Sequence, residues 1–436
     1  MKNEEISVDE LLSEVNRLLG DDPQTAPVQP DPGHQSAADE PAANSESPSD
    51  HASAPEEPKG EAVPKHGPAK KKNKKSGKKK VSKFSKVAVV LGKILLILVQ
   101  TALMLVIALY GVMYVLAKGP STTARDLFVM SVRETSAMGW LANIYFSDEE
   151  IAQIENKKDV EDFQEVDTSL IQIPKETEGD PDASVPEDQG PVPDQWGLVD
   201  EDGDGIILEP VKGQGYSGYM MVVLDPSRVI VGSVPSSYGQ RGYTVAEMVQ
   251  KFDAVAATNA GGFYDPDGTG NGSIPDTLVV YDGEIYYSGS GTRQGFVGFD
   301  SNHILHVANN ITTKEIQEKD IRYGVCFGPV LIVNGEPCEI SISGVNPRTA
   351  IGQRSDGAIL MLVIDGRQVI SMGATMQDLI DIMMDYGAVN ACNLDGGSSS
   401  LMWFEGEYIN NCASVIGIRP VPTTFLVLPK EVDSNG

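Results

Sequence analysis

The chain predicts an α+β fold: a β-rich, mixed-sheet C-terminal domain with two or more helices, preceded by one transmembrane helix and a disordered cytoplasmic tail. Three observations predict it. Residues 94–117 read ILLILVQTALMLVIALYGVMYVLA, without a single charge. From about Trp196 onward, short apolar runs alternate with turn dipeptides. Two capped helices interrupt those runs.

The membrane segment is the clearest element. At 1.5 Å per residue the run crosses a hydrocarbon core of about 30 Å. A buried helix of a soluble domain rarely stays apolar on every side for this length. The stretch is also too long, and too far from the N-terminus, for a cleaved signal peptide. Lysines crowd its N-terminal flank from Lys70 to Lys86, whereas Lys118 and Arg125 are the first positive charges beyond it. The positive-inside rule therefore places the N-terminus in the cytoplasm and the C-terminal domain outside the cell. The same lysines suit anionic headgroups.

The remaining segments follow in order. Residues 1–20 hold a short amphipathic helix over 7–19, with Ser7 as N-cap, Glu10 three residues on, and Leu11, Leu12, Val15, Leu18 and Leu19 on one stripe. Such a helix is marginal alone, so it is a candidate dock for a cytoplasmic protein partner, or else a transient surface helix. Residues 21–86 are a Pro/Ala-rich and then Lys-rich disordered tail. Residues 87–117 form the membrane helix and 118–159 a helical stalk, with Ser147 and Glu150 marking a helix start. An acidic, Pro-rich linker covers 160–195, and the folded domain covers 196–430.

Within that domain Asp282-Gly283, Asn334-Gly335 and Asp356-Gly357 each read as a two-residue hairpin turn. Thr244 with Glu247, and Thr375 with Asp378, read as helix caps. The formal net charge of −28 excludes a nucleic-acid partner, because a polyanion gains no counterion release from phosphates. All four cysteines (Cys326, Cys338, Cys392, Cys412) lie in this domain. Outside the cell they permit disulfides, and sequence leaves both the pairing and the alternative of buried thiols open.

Chemistry concentrates at three places. Each capped helix is followed by an apolar strand that ends in a polar residue and paired glycines. The first gives Asn259, Ala260, Gly261 and Gly262; the second gives Asp395, Gly396 and Gly397, followed by Ser398 and Ser399. Paired glycines let backbone N–H groups approach an anion, although two tight turns with no ligand give the same pattern. Between them, Arg348 and Thr349 open another apolar strand. An arginine there can fork a phosphate or form a structural salt bridge.

The motifs NAGGFY (Asn259–Tyr264), NPRTAIG (Asn346–Gly352), IDG (Ile364–Gly366) and LDGGSSS (Leu394–Ser400) together resemble the phosphodiester glycosidase family, over about residues 215–428. The resemblance implies hydrolysis of an N-acetylglucosamine 1-phosphodiester in extracellular or cell-surface glycans, with a glycan or glycan-phosphate as partner. It implies catalytic roles for Asp395, Arg348 and Asp365. It gives substrate binding to Asn259, Thr349, Gly396, Gly397, Ser398 and Ser399, and the paired-glycine pattern adds Gly261 and Gly262. The family's uncovering enzyme carries a third glycine where this chain has Ser398. A phosphate monoester is a weak base that leaves with little protonation, so one carboxylate, Asp395, suffices as nucleophile or base. The alternative keeps the fold without the reaction, as a membrane-tethered glycan-binding or envelope scaffold protein.

No metal site is implied. Asp200, Asp202 and Asp204 imitate the start of a calcium loop, the one cofactor candidate, but its twelfth position is Val211 rather than Glu. Asp265 and Asn271 bound a second polar loop of the same kind. His303 and His306, read as sharing a strand, fall on opposite faces and make no metal pair.

Overall fold

A computed structural model describes residues 83–135, 138–155, 165–174, 192–265, 270–289, 295–340, 343–414 and 416–430. The amphipathic helix, the Pro/Ala-rich tail and most of both the lysine block and the acidic linker lie outside the described residues.

Helix α1 (Lys83–Lys118) contains the apolar run, and its side chains from Val89 to Tyr114 are largely exposed. Two shorter helices, α2 (Thr122–Arg133) and α3 (Asp148–Glu155), follow with a 3-10 turn at Gly139–Ile144 between them. Ser147 and Glu150 cap α3 reciprocally, as the sequence predicts. Phe128, Val129, Met130, Ala142, Phe146, Ile151 and Ile154 close into a small core against Ala117 of α1. The predicted stalk is thus a folded helical module packed on the end of the long helix.

The C-terminal part begins with β1 (Ile206–Gly213), β2 (Tyr216–Val223) and β3 (Val229–Ser233), then α4 (Val245–Phe252) and β4 (Ala256–Asn259). Next come β5 (Leu278–Tyr281), β6 (Glu284–Ser288), β7 (Phe296–Asp300) and β8 (Leu305–Ala308). Helix α5 (Thr313–Glu318) leads to β9 (Ile321–Val325), β10 (Val330–Val333) and β11 (Glu336–Pro337). The chain continues through β12 (Arg348–Arg354), β13 (Ile359–Ile364), α6 (Met376–Asp385) and β14 (Ala388–Asn393). It finishes with β15 (Met402–Phe404), β16 (Glu407–Tyr408) and β17 (Thr423–Val427).

These strands form three sheets, ordered β1-β2-β13-β12-β14-β10-β11, β16-β15-β4-β17-β3 and β6-β5-β9-β7-β8. The architecture is the predicted α+β class, with antiparallel pairing throughout the named strands. Period-two alternation explains the layering. Met221 and Val223 of β2, with Met361 and Val363 of β13, face a core shared with Val231, Phe425 and Val427 of the second sheet and Val297 and Phe299 of the third. Met220, Val222, Leu360 and Leu362 point the other way, onto Leu379, Ile380 and Met383 of α6. Both faces of β13 are therefore covered, so ILMLVI is continuously apolar rather than alternating. Helix α4 covers the second sheet through Val245, Met248 and Val249.

Most local signals act as read. Asp282-Gly283 and Asn334-Gly335 both take positive φ at two-residue turns. Both predicted capping boxes form. Asp356-Gly357 differs: only Gly357 has positive φ, and Arg354 closes a longer loop by donating to Ala358 and accepting from Gly357. Asp356 instead turns its carboxylate back on Arg354. A third capped helix, α5, carries the same signature at Thr312 and Glu315. His303 lies in a turn with φ 61° rather than in a strand, whereas His306 sits in β8 against Asp300.

One buried charge ties the first folded residues to the domain. Arg354 is fully buried, donates from Nη1 to Asp194 at 2.7 Å, pairs with Asp356, and lies 3.8 Å over the Trp196 ring. Gly387 makes room for that ring, since a Cβ there would sit 2.1 Å from the indole nitrogen. Removing one partner of such a pair strands the others. Arg354→Ala is expected to cost roughly 3–5 kcal/mol of unfolding free energy, measured by urea denaturation; a loss below about 1 kcal/mol would contradict this role.

Candidate functional site

The ends of β4, β12 and β14 meet at one point, and Asn259 joins them. Its side chain is wholly buried. Nδ2 donates to the carbonyl of Asp395 at 2.5 Å, while Oδ1 accepts from the Thr349 hydroxyl at 2.8 Å and the Leu401 N–H at 3.1 Å. Backbone bonds complete the junction: Asp395 N–H to Ala260 at 3.0 Å, Leu394 N–H to Thr349 at 2.8 Å, and Gly397 N–H to Pro347 at 2.8 Å. The two helix–strand–glycine paragraphs of the sequence therefore belong to different sheets whose ends are fused here.

The loop after β14 needs its glycines. Gly397 has φ 62°, and a Cβ on Gly396 would lie 2.9 Å from the carbonyl of Pro347. The loop then makes a 3-10 turn over Gly397–Ser399, with Ser399 buried and Ser398 half-exposed. Asp395 receives hydrogen bonds from the Ser399 hydroxyl and the Gly396 N–H. Part of the residue reaches solvent, yet desolvation is the largest influence on its carboxyl. Together with the nearby charge of Asp265, it outweighs Ser399, Arg419 and the Gly396 N–H, and pushes the carboxyl up to about 7.

Three arginines approach this loop. Arg348 is buried and held through Nε to the Ala374 carbonyl at 3.1 Å, and through Nη2 to the Gly344 carbonyl at 2.6 Å and Glu134 at 2.7 Å. Arg419 donates from Nη1 to both oxygens of Asp265, at 2.9 and 2.8 Å, and from Nη2 to Ser399 at 3.5 Å. Arg367 has φ 57° and is exposed. Its Nη2 lies 3.3 Å from where a Cβ on Gly397 would stand, and donates to Thr135 at 2.9 Å and Asn346 at 3.3 Å. Partial desolvation, and then the charges of Arg348 and Arg419, weaken its hold on its proton. A guanidinium stays charged regardless. The result is a cationic rim around one carboxyl that is itself reluctant to ionise.

The helical module that follows α1 forms part of this rim. Glu134, just past α2, accepts from Arg348, from Asn346 Nδ2 at 3.2 Å and from the Gly344 N–H at 3.1 Å. Ser131 accepts from the Val345 N–H at 2.9 Å. The fit is close: a Cβ on Gly344 would meet the Ser131 backbone at 2.4 Å.

The other sequence candidates lie behind the rim. Asp365 is buried and accepts from Asn410 Nδ2 at 3.1 Å, the Asn411 N–H at 2.9 Å and Asn411 Nδ2 at 3.0 Å. It pins the segment that follows β16. Thr349 is spent on Asn259. Gly261 and Gly262 are buried, where the Val325 side chain and the Phe327 ring press against them. Asp395, Arg348, Gly396, Gly397, Ser398 and Ser399 make up the loop and its immediate wall. Sequence reasoning missed Glu134, Arg367 and Arg419. Arg367 directly follows the IDG motif and was findable there; Arg419 stands in no motif, and Glu134 belongs to a segment read as stalk. Elsewhere, Asp200, Asp202 and Asp204 bring carboxylate oxygens within 4.8 Å of one another, in a loop that leads into a strand rather than a helix.

Residues 252–428 match the family described as phosphodiester glycosidase. That stretch contains Asn259, Arg348, Asp365 and Asp395 and is similar to phosphodiester glycosidase domains. A curated relative, the SPbeta prophage-derived uncharacterized protein YomE of Bacillus subtilis (strain 168), is 31% identical over 201 residues, 43% of this chain. The match spans only 30% of that relative's length. Among solved structures, the catalytic domain of zebrafish N-acetylglucosamine-1-phosphodiester alpha-N-acetylglucosaminidase, auto-inhibited by its pro-peptide, superimposes with TM-score 0.42 and 19% identity, over 52% of this chain and 82% of that one. A putative exported protein from Burkholderia pseudomallei gives 0.35 and 16%, over 49% and 74%.

Asn259→Ala would leave a buried carbonyl, hydroxyl and N–H unpaired. The expected loss is roughly 2–4 kcal/mol, read from chemical denaturation, with Asn259→Asp no better because it forfeits the donor to Asp395. Wild-type stability in Asn259→Ala would remove Asn259 as the junction.

Proposed function

We propose that this chain hydrolyses a sugar-1-phosphodiester of the N-acetylglucosamine α-1 type in extracellular or cell-surface glycans. The observation that supports it most is Asp395, its carboxyl pushed up to about 7, on a glycine loop that three arginines approach. A single carboxylate beside a cationic rim suits a reaction whose leaving group is already anionic. Two carboxylates would be needed for an ordinary glycoside, whose alkoxide must be protonated as it leaves.

The step breaks the bond between the anomeric carbon and the phosphate oxygen. Water supplies the new oxygen on that carbon. Asp395 acts either as the base that takes the water's proton or as the nucleophile that water later displaces. The phosphate leaves as a monoester on the other partner, its growing charge met by Arg348 and Arg367. Exposed Tyr264, next to Asp265, offers a face for the sugar ring. Rather than touch the substrate, Asn259 and Thr349 position this loop, and Asp365 holds the segment after β16. Glu134 and Asp265 play the same part for Arg348 and Arg419.

Division into tail, membrane helix, stalk, linker and domain belongs to the same proposal. Among the described residues one helix, Val87–Lys118, is long and apolar enough to cross a membrane. With the N-terminus cytoplasmic, the domain would act at the outer face of its own membrane.

Three outcomes test this. Asp395→Asn should lower kcat on a model N-acetylglucosamine phosphodiester by at least ~10³-fold with the fold intact; retained activity would end the assignment. A base must be ionised to work, and this carboxyl ionises only near 7, so kcat/KM should rise with pH through about 7 and level off above. A profile that falls through the same range would make Asp395 an acid instead. Glu134→Gln should weaken the hold on Arg348, raising KM for the phosphodiester several-fold, roughly 1 kcal/mol, with Glu134→Asp partly restoring it.

A further inference from the structure

Cleavage of the sugar–phosphate bond leaves the aglycone unspecified, and a patch of exposed apolar side chains bears on it. The turn at 367–372 is built rather than loose: Arg367 N–H donates to the Met372 carbonyl at 3.1 Å and Gln368 N–H to Ser371 at 2.9 Å. At its tip Val369 is 101% exposed and Ile370 80%, with Met372 exposed beside them. A fixed turn that offers two bare aliphatic side chains to water is costly unless something apolar receives them. The turn begins at Arg367, the exposed arginine of the site.

A second apolar group lies one step away. Arg367 donates to the Thr135 hydroxyl, and the Thr135 carbonyl in turn accepts from Met138 at 3.0 Å and Gly139 at 3.1 Å, opening the 3-10 turn. That turn exposes Met138, Trp140 (63%) and Ile144. It also packs back on the long helix: the Tyr145 ring is 5.5 Å from that of Tyr110, and Lys118 lies 4.6 Å over Phe146. Counting about 20 residues from Lys93 puts the far edge of a hydrocarbon core near Met113. Tyr110 and Tyr114 flank that edge, where interfacial aromatics belong. Tyr145 is therefore level with the membrane boundary, and Trp140 and Ile144 are placed to enter the headgroup region.

The geometry points to a site whose mouth is seated on the bilayer: the Val369–Ile370 tip and the Met138–Ile144 turn rest in the outer lipid interface, and the substrate is a sugar-1-phosphodiester whose aglycone is a lipid. This rests on the hydrolase reading and narrows it. Charge and shape agree. The phosphate would meet Arg367 and Arg348, while the hydrocarbon chain stays in the membrane below the tip.

The test uses the full chain in vesicles of phosphatidylcholine and phosphatidylglycerol. Two N-acetylglucosamine α-1-phosphate diesters are compared, a methyl diester in water and a hexadecyl diester in the vesicles. Wild type should show kcat/KM at least about tenfold higher for the hexadecyl diester. Val369→Ser/Ile370→Ser, away from the reacting groups, should lose that preference and keep the methyl rate. Equal rates on the two diesters, or a double variant slowed equally on both, would overturn the proposal and favour a soluble polymer as substrate. Placement is read separately: the added fluorescence of Ile370→Trp should be quenched by brominated phospholipid, and an unquenched signal would overturn the bilayer seat. No hydrolysis of either diester would strike the hydrolase reading itself and the lipid aglycone with it. The quenching result would still decide the seat.

Discussion

Everything at the site depends on one buried amide. Asn259 donates to the Asp395 carbonyl and accepts from Thr349 and Leu401, so three strand ends from two sheets share a single side chain. Its three bonds have no competition from water, which makes them strong when made and expensive when lost. Asp395 is carried on the segment that this amide fixes. Its carboxyl can be held partly desolvated because the backbone beneath it cannot relax toward solvent.

The rim is built on the same principle of fixed partners. Arg348 and Arg419 each lean on a carboxylate, Glu134 and Asp265, at 2.7 and 2.8 Å. Those carboxylates orient the guanidinium forks at the cost of some of their positive potential. Arg367 differs, because its bonds run to a hydroxyl and an amide oxygen. It is the arginine whose charge is least offset nearby and which reaches solvent, so in the proposed reaction it is the first contact for an arriving phosphate. The segment just past α2 supplies two of these partners, Glu134 and Thr135. It therefore belongs to the site as well as to the helical module.

Much of this was readable in the sequence, and for identifiable reasons. Paired glycines after apolar strands are a backbone constraint, and they located the Asp395 loop. Capping boxes and Asx-Gly turns are local signals, so α4, α6 and two hairpins appear where read. Asp356-Gly357 misled because Asp356 had a better use as a partner for Arg354, and tertiary pairing overrode the turn preference. Residue type could not reveal which polar side chains face a ligand and which hold the frame. Asn259, Thr349 and Asp365 look like ligands in one dimension; in three they are saturated by the protein itself. Glu134 was out of reach altogether, since it lies 214 residues from the Arg348 that it pairs with.

The proposed reaction breaks the anomeric carbon–oxygen bond, and the phosphate leaves intact. Hydrolysis of an N-acetylglucosamine 1-phosphate methyl diester in ¹⁸O-labelled water tests this most directly, with mass spectrometry of both products. Cleavage at carbon puts the label on the anomeric carbon of the released sugar and none in the methyl phosphate. Label in the phosphate would mean attack at phosphorus, and would contradict the role of Asp395 as nucleophile or base and of the arginine rim as the seat of the leaving phosphate.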